Sequence, residues 1–279
     1  MASQLRSARN ATLRALDRMS LLAPVYHAYE RLRSLRGSED REVDAGGLPV
    51  PPPRLRVEVA GTAGLEWFLD SGRQQAGIIR SAAERNGAPL ESAGSLLDFG
   101  CGCGRVLRHW AGVEGPAIHG SDYNERLVGW CGANLPFVTA SVNELTPPLR
   151  YEDEQFDLVY AISVFTHLPH DLERAWIDEL SRITAPGGLL LVTTHGDSYA
   201  DRLDADERAI YDSGEAVVRW PGVAGSNLCT TFHPEPYIRT RFASGLQLLE
   251  HTPDGGTVGS RQQDLVVFRK PAPGTAARS

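Results

Sequence analysis

The stretch LLDFGCGCGR, residues 96–105, constrains the fold of this chain more than any other feature. An apolar run leads into three glycines that alternate with two cysteines, and Asp98 stands two residues before the first glycine. Glycine adopts backbone conformations that other residues avoid, and it lets a ligand approach the main chain without side-chain obstruction. The pattern therefore predicts a buried strand that turns through a ligand-binding loop into a helix.

Short apolar strands alternate with helical segments from about residue 62 onward. The predicted strands are SLLDFG, AIHGSDYN, PFVTASV, FDLVYAISV, LLLVTTH, LQLLEHT and DLVVFRK, and the helices between them include RVLRHWAG, ERLVGWCGAN and DLERAWIDELSRIT. This alternation predicts an α/β fold, a doubly wound parallel sheet with helices on both faces. Such a sheet binds ligands at the carboxyl ends of its strands.

Three segments fall outside this rhythm, which divides the chain into regions. Residues 1–60 are predicted to form basic amphipathic helices, broken near Pro24, and then a proline-rich linker. The main domain is predicted over 61–271, with 197–233 as an insertion that caps the strand ends, and 272–279 as a flexible tail.

Charge and composition exclude several function classes. Residues 1–36 hold seven arginines against Asp17 and Glu30, a net charge of +5, which leaves −12 on the rest of a chain whose total is −7. An acidic body argues against nucleic-acid binding. The basic helices are compatible with contact with a membrane surface, with covering an active-site mouth, and with pairing in a homodimer.

No stretch approaches the roughly 18 apolar residues of a membrane-spanning helix, and the start lacks the apolar run of a secretory signal, so we expect a cytoplasmic protein. The four cysteines are too few and too scattered for a disulfide framework or a zinc site. We therefore expect reduced thiols and no metal.

The acidic residues near the glycine loop indicate what it binds. Gly100 and Gly102 fit the dinucleotide pattern G-x-G-x-x-G, but Arg105 occupies the third glycine position. The carboxylate of Asp98 would repel a pyrophosphate and attract a ligand that bears an amino group or a sulfonium. Asp122, at the end of the second strand, is placed to accept hydrogen bonds from both ribose hydroxyls of a nucleoside. The pattern disfavours NAD.

With these motifs the sequence resembles the class I S-adenosylmethionine-dependent methyltransferases over about residues 65–270. LLDFGCGCGR resembles the first motif of that family, IHGSDYN the second and FDLVYAISVFTHL the fourth, while LSRITAPGGLLLVTTH resembles its helix, turn and fifth strand. The resemblance implies a seven-stranded sheet whose last strand is antiparallel. It also implies S-adenosylmethionine as the cofactor, held by Asp98, Phe99, Gly100, Cys101, Gly102, Gly104, Arg105, Asp122, Tyr123, Ser141, Val142, Asn143, Ile162 and Ser163.

One departure from the family concerns the third strand. Many relatives carry an aspartate there that meets the adenine amine, whereas this chain has ASVNEL. Ser141, the backbone of Val142 and Asn143 are therefore the candidates for the adenine contact.

Methyl transfer to an alcohol needs a group that takes the hydroxyl proton. His167 follows the fourth strand, His195 ends the fifth, and His233 lies in the insertion, which makes these three the candidate bases. Tyr199, Tyr237 and Arg239 are the candidates for binding the acceptor. GSNLCTTFHPEPYIR followed by EHTPDGG resembles methyltransferases that accompany glycosyltransferases in bacterial glycan pathways, which implies a glycosyl acceptor.

The function that these features favour is O-methyl transfer to a small molecule, a sugar or a bacterial secondary metabolite. Transfer to nitrogen or carbon of a natural product is the alternative within the family. An NAD-dependent oxidoreductase and a non-catalytic binding protein for S-adenosylmethionine are alternatives from other classes. A protein or nucleic-acid methyltransferase is disfavoured because AISV stands where an NPPY-like motif would follow the fourth strand.

Overall fold

The computed structural model of the chain describes residues 2–35, 42–243, 245–256 and 262–272, with side chains described from residue 9. Of the predicted tail, residues 273–279 lie outside the described residues.

A seven-stranded sheet forms the centre of the molecule. Its strands lie in the order β3-β2-β1-β4-β5-β9-β8, and β9 runs antiparallel to both of its neighbours. The predicted doubly wound sheet with an antiparallel last strand is confirmed. Its strands are β1 Ser95–Phe99, β2 Ala117–Asp122, β3 Val138–Val142, β4 Phe156–Ala161, β5 Thr184–Thr194, β8 Gln247–Thr252 and β9 Asp264–Arg269.

Helices cover both faces of the sheet because its central strands are apolar on both sides. Leu96 of β1 packs into one apolar layer and Leu97 into the opposite one, and β4 and β5 alternate in the same way. The helices are α1 Ala2–Arg18, α2 Leu22–Ser34, α3 Pro53–Ala60, α4 Leu65–Arg85, α5 Glu125–Asn134, α6 His170–Ile183, α7 Ala205–Asp212 and the short α8 Glu235–Tyr237.

Within 197–233 the chain forms α7 and a separate two-stranded antiparallel sheet of β6 Val217–Arg219 and β7 Thr230–Phe232. Tyr211 and Phe232 are buried in a small apolar cluster of this segment, so it has a core of its own.

The helix predicted over RVLRHWAG is wrong. The structure has only a short 3₁₀ turn, Leu107–Trp110, after the glycine loop. Gly104 and Gly112 both have left-handed backbones, with φ of +77° and +79°, and bound the turn on either side. Trp110 is buried and donates its indole N–H to the hydroxyl of Tyr160 at 2.7 Å, so a tertiary contact fixes the turn.

The N-terminal segment forms two helices, as the sequence predicts. The break lies at residues 19–21 rather than at Pro24, which stands in the first turn of α2, where its missing N–H needs no partner. In the part of the chain that the structure describes, no helix combines the length and apolarity needed to cross a bilayer.

The proline-rich stretch, which the sequence predicts to be a linker, is attached to the main domain. Arg108, with no exposed side-chain surface, forms an ion pair with Asp44 at 2.8 Å and donates to the carbonyl of Pro49 at 2.8 Å, which ties residues 44–49 to the body. The stretch then continues directly into α3, which begins at Pro53 and ends before the left-handed Gly61.

Two glycines of α4 give a matched test of this packing. A Cβ on buried Gly72 would lie 2.1 Å from the carbonyl oxygen of Arg105, whereas a Cβ on exposed Gly77 meets nothing within 4 Å. Gly77→Ala should raise the free energy of unfolding by about 1 kcal/mol, because alanine favours helix. Gly72→Ala should lower it by about 1–3 kcal/mol through overpacking. Urea unfolding checks both, and equal effects of the two substitutions would contradict the close approach of α4 to the loop.

Candidate active site

A cavity of about 400 Å³ opens at the carboxyl ends of β1, β2 and β4, a size typical of small-molecule sites. Twelve of the residues predicted from the sequence line it: Asp98, Phe99, Gly100, Cys101, Gly102, Arg105, Asp122, Tyr123, Asn143, Ile162, Ser163 and His167.

The backbone N–H groups of the glycine loop donate to acceptors within the protein. Gly100 and Cys101 donate their backbone N–H groups to the carbonyl of Ser121 at 2.7 and 3.1 Å, and Gly102 donates to Oδ2 of Asp122 at 2.9 Å. A loop that cradles a pyrophosphate needs free N–H groups. Because these N–H groups already have partners within the protein, the loop is built to hold Asp122 rather than a phosphate.

The close packing of the loop requires glycine. Gly100 has φ of +77°, and a Cβ there would lie 2.3 Å from Cγ2 of Val164. Gly102 has φ of +55°, and a Cβ there would lie 2.6 Å from Cγ2 of Val59 on α3. Predicted Gly104 is buried against Leu135 behind the loop and does not line the cavity.

Asp98 is a buried carboxyl group at the floor of the cavity, 3% exposed. Burial raises the pKa of Asp98 to about 7, and this effect exceeds the opposing effects of a hydrogen bond from Tyr160 and of the positive charge on Arg105. Burial also lowers the pKa of the Arg105 guanidinium. A positively charged ligand in the cavity would favour the ionised form of Asp98.

Asp122 ends β2 and is fixed from both sides. Its Oδ2 accepts from the N–H of Gly102 and its Oδ1 from the N–H of Asn124 at 2.8 Å. Burial raises the pKa of Asp122 despite these hydrogen bonds. A carboxylate has about four acceptor sites, so Asp122 keeps acceptor capacity for donors of a ligand.

The structure places the three candidates for the adenine contact in different surroundings. Asn143 lines the cavity, and its Oδ1 accepts from the hydroxyl of Ser121 at 2.6 Å. Ser141 instead shares a hydrogen bond of 2.8 Å with the hydroxyl of Tyr151, and Val142 is exposed. Among the described residues that line the cavity, neither Ser141 nor Val142 appears, so Asn143 is the candidate that the geometry supports.

His167 is the one of the three predicted histidines that the structure brings to the cavity. Its Nδ1 lies 2.6 Å from the carbonyl oxygen of Cys229. A carbonyl only accepts, so Nδ1 carries the proton and Nε2 is left as the nitrogen that can take one. Burial lowers the pKa of His167, which keeps the ring neutral near pH 7. It is therefore suited to act as a base.

His195 and His233 lie behind His167. His195 is buried beneath Tyr199, with ring centroids 4.2 Å apart, and burial lowers its pKa well below the usual value. His233 is fully buried and pairs through Nε2 with Oε1 of Glu173 at 2.6 Å. Neither is among the described residues that line the cavity, so a role for either as the base stays a prediction without support from this geometry.

The predicted acceptor residues also lie away from the cavity. Tyr199, in the insertion, packs on His195 at the end of β5, and Tyr237 donates its hydroxyl to Glu173 at 3.1 Å. Arg239 is exposed and pairs with Glu235 on the surface. None of the three is among the described residues lining the cavity, and their acceptor role stays a prediction.

Three segments also line the cavity with residues that the sequence did not single out. His27, Glu30 and Arg31 come from α2, Arg54, Glu58 and Val59 from α3, and Gly225, Ser226 and Asn227 from the insertion. They are held together by hydrogen bonds: Asn227 donates to the carbonyl of Glu58 at 2.8 Å, and Gly225 donates to that of His167 at 2.8 Å. The cavity is thus closed by two additions to the sheet: α2 and α3, which precede it in the sequence, and the insertion, which follows β5.

All four cysteines are buried free thiols, as predicted. Within the described ranges, no group of three or more histidine, cysteine or acidic side chains is arranged to hold a metal ion.

Comparison with known proteins gives the family. The model of a methyltransferase domain matches residues 71–253, about two thirds of the sequence. This chain belongs to the methyltransferase-domain family. The match confirms the resemblance drawn from the motifs, and with it S-adenosylmethionine as the cofactor of the family.

Two curated relatives show moderate similarity. The chain is 29% identical over 165 residues to the sterol 24-C-methyltransferase ERG6B of Gibberella zeae, a match that covers 56% of this chain and 40% of that protein. It is 28% identical over 107 residues to a probable chloroplastic tocopherol O-methyltransferase of Oryza sativa subsp. japonica, covering 36% of this chain and 28% of that protein. The chain thus spans less than half the length of either relative.

Solved structures share the fold. The glycopeptide N-methyltransferase MtfA, complexed with sinefungin, superposes with a TM-score of 0.51 at 16% identity, covering 72% of this chain and 87% of that chain. The PH0226 protein of Pyrococcus horikoshii OT3 gives a TM-score of 0.52 at 16% identity, covering 71% and 90%.

The buried Asp98 predicts a pH dependence of stability. Its pKa is raised from 3.8 to about 7, so between these values the folded state binds more protons than the unfolded state, and the free energy of unfolding falls as pH rises. Relative to Asp98→Asn, the parent should lose on the order of a few kcal/mol between pH 4 and pH 8, since each pKa unit is about 1.4 kcal/mol. Urea unfolding at several pH values measures this difference.

The control is Asp178→Asn, because Asp178 is exposed on α6. It should keep the slope of the parent. A parent and an Asp98→Asn variant with parallel curves would contradict the raised pKa.

Proposed function

We propose that this chain transfers a methyl group from S-adenosylmethionine to a hydroxyl oxygen of a small molecule, a sugar or a bacterial secondary metabolite. Asp98 and Arg105 hold the amino-acid end of the donor, Asp122 its ribose and Asn143 its adenine. Ile162 and Ser163 flank the donor at the end of β4, and His167 takes the proton of the acceptor.

The pair of buried carboxyl groups carries this proposal. Asp98 and Asp122 both line one cavity, and the loop between their strands donates its N–H groups to Ser121 and Asp122. Such a site suits a ligand that is cationic at one end and a nucleoside at the other. It does not suit the pyrophosphate of NAD, which supports a methyltransferase over an oxidoreductase.

When bound, S-adenosylmethionine supplies a methyl group that its sulfonium already activates. What the protein must add is alignment and a base near neutral pKa. We assign the base to His167, because the Cys229 carbonyl fixes its tautomer with Nε2 free of hydrogen. A donor bound there would supply the methyl group for the acceptor oxygen and would leave as S-adenosylhomocysteine, and Nε2 of His167 would take the hydroxyl proton.

The acceptor would enter between α2 and the insertion. His27 and Glu30 form one side of this opening and Gly225–Asn227 the other. The hydrogen bond from the hydroxyl of Tyr123 to the carbonyl of Gly225, 3.1 Å long, joins the insertion to the ribose end of the cavity. These contacts support segment 197–233 as a cap over the main domain 61–271. The curated relatives are named for transfer to carbon and to oxygen, so the acceptor atom needs a direct test.

Binding of the demethylated product tests the cofactor site. Calorimetry with S-adenosylhomocysteine should detect saturable binding, and Asp122→Asn should weaken it about 10- to 100-fold, since asparagine keeps one acceptor oxygen and one hydrogen bond to a charged acceptor contributes about 1.5–3 kcal/mol. Asp178→Asn on exposed α6 is the matched control and should bind like the parent. Tighter binding of NADH than of S-adenosylhomocysteine would favour the oxidoreductase instead.

The role of His167 is tested by turnover. His167→Gln should lower kcat about 10²- to 10⁴-fold, the usual contribution of a general base, while S-adenosylhomocysteine affinity stays near the parent value. The assay uses a panel of sugar, phenol, amine and carbon acceptors with labelled donor. His170→Gln is the control, because His170 is on α6 and lies outside the cavity lining. Unchanged kcat in His167→Gln, or transfer to amines alone, would contradict the proposed O-methyl transfer.

A further inference from the structure

The outward face of α2 is apolar along its whole length. Leu21, Val25, Tyr29, Leu32 and Leu35 recur at intervals of four and three residues, which places them on one face of the helix, and each is between 41% and 79% exposed. We call these five residues the outer stripe. With the adjacent Met19 they make up six of the twelve large exposed apolar side chains in the described part of the chain. Exposure this concentrated marks an interaction surface.

The opposite face of α2 fixes the helix in this orientation. Leu22 is buried, and Glu30, on the same inward side, lines the mouth of the cavity. Burial raises the pKa of Tyr26, as does the neighbouring Glu30 carboxylate. The outer stripe therefore cannot turn inward without uncovering these contacts.

The charges beside the outer stripe are positive. Arg31 is exposed, and the guanidinium of Arg33 lies 5.5 Å from the ring centroid of Tyr29. Glu30, the acidic residue of α2, faces the cavity. The segment 1–36 carries +5, while the rest of the chain carries −12. An apolar helical face beside arginines fits a surface that is apolar inside and anionic outside.

We propose that the outer stripe binds the surface of an anionic lipid bilayer, with its apolar side chains at the level of the acyl boundary and Arg31 and Arg33 against lipid phosphates. The acidic remainder of the chain is repelled by the same surface, so the contact is confined to this face. A second copy of the chain is a poorer occupant, because pairing two outer stripes would bring arginine against arginine.

One consequence concerns the acceptor. The cavity mouth, with His27 and Arg31, belongs to the same helix as the outer stripe, so docking would set the mouth close to the lipid headgroups. An amphiphilic acceptor held in the bilayer could then present its hydroxyl to the site. This consequence rests on the proposed function, whereas the docking does not.

Vesicle co-sedimentation of the full chain tests the docking. Vesicles of phosphatidylcholine with an equal part of phosphatidylglycerol should bind the chain at least tenfold more strongly than phosphatidylcholine alone, and added salt should weaken the binding. The double variant Val25→Glu/Leu32→Glu should lose at least tenfold. The matched control Trp67→Glu/Ile210→Glu, which alters two exposed apolar side chains on α4 and α7, should bind like the parent. Circular dichroism establishes that both variants are folded.

Three results would overturn the proposal: no binding to anionic vesicles, equal binding to neutral and anionic vesicles, or equal loss in the two double variants. A dimer seen by light scattering that Val25→Glu/Leu32→Glu dissolves, without vesicle binding, would assign the stripe to a second copy instead. Calorimetry with S-adenosylhomocysteine in the absence of vesicles keeps the two proposals apart. Loss of that binding bears on the cofactor site alone, and loss of vesicle binding bears on the outer stripe alone.

Discussion

The carboxylate of Asp122 joins the two strands on which the site depends. It accepts from the N–H of Gly102 on the loop after β1 and from the N–H of Asn124 at the start of α5. Leaving a buried carboxylate without partners is costly, so the loop must close on Asp122 for the chain to fold as it does. The same closure sets Asp98 and Asp122 at one cavity and removes the loop's N–H groups from use by a phosphate. Fold and ligand preference thus follow from one interaction.

The parts added to the common sheet complete the cavity. α2 and α3 cover it from one side, and the loop at Gly225–Asn227 from the other. The insertion also reaches the catalytic candidate, because the Cys229 carbonyl holds the imidazole of His167. The additions therefore set both the access route and the tautomer of the proposed base. Under the proposed docking, the outer stripe of α2 also sets the surface at which the chain works.

The strands and the cofactor end of the site are predictable from sequence because local rules determine them. Continuous apolar runs define β1, β4 and β5, and closely spaced glycines with acidic neighbours mark the loop. The sequence does not predict α3, because RLRVEVA alternates like a strand, although Pro53 at its start and Gly61 just past its end are helix boundary signals. The choice among His167, His195 and His233 depends on which ring faces the cavity, a matter of tertiary packing that no local pattern contains.

A crystal structure with bound S-adenosylhomocysteine tests the central claim most directly. The account predicts density for the ligand's amino group near Asp98, for its ribose hydroxyls within hydrogen-bonding distance of Asp122, and for its sulfur on the side of the cavity where His167 lies. Density for the ligand at another place on the molecule, or a ribose that makes no contact with Asp122, would contradict it.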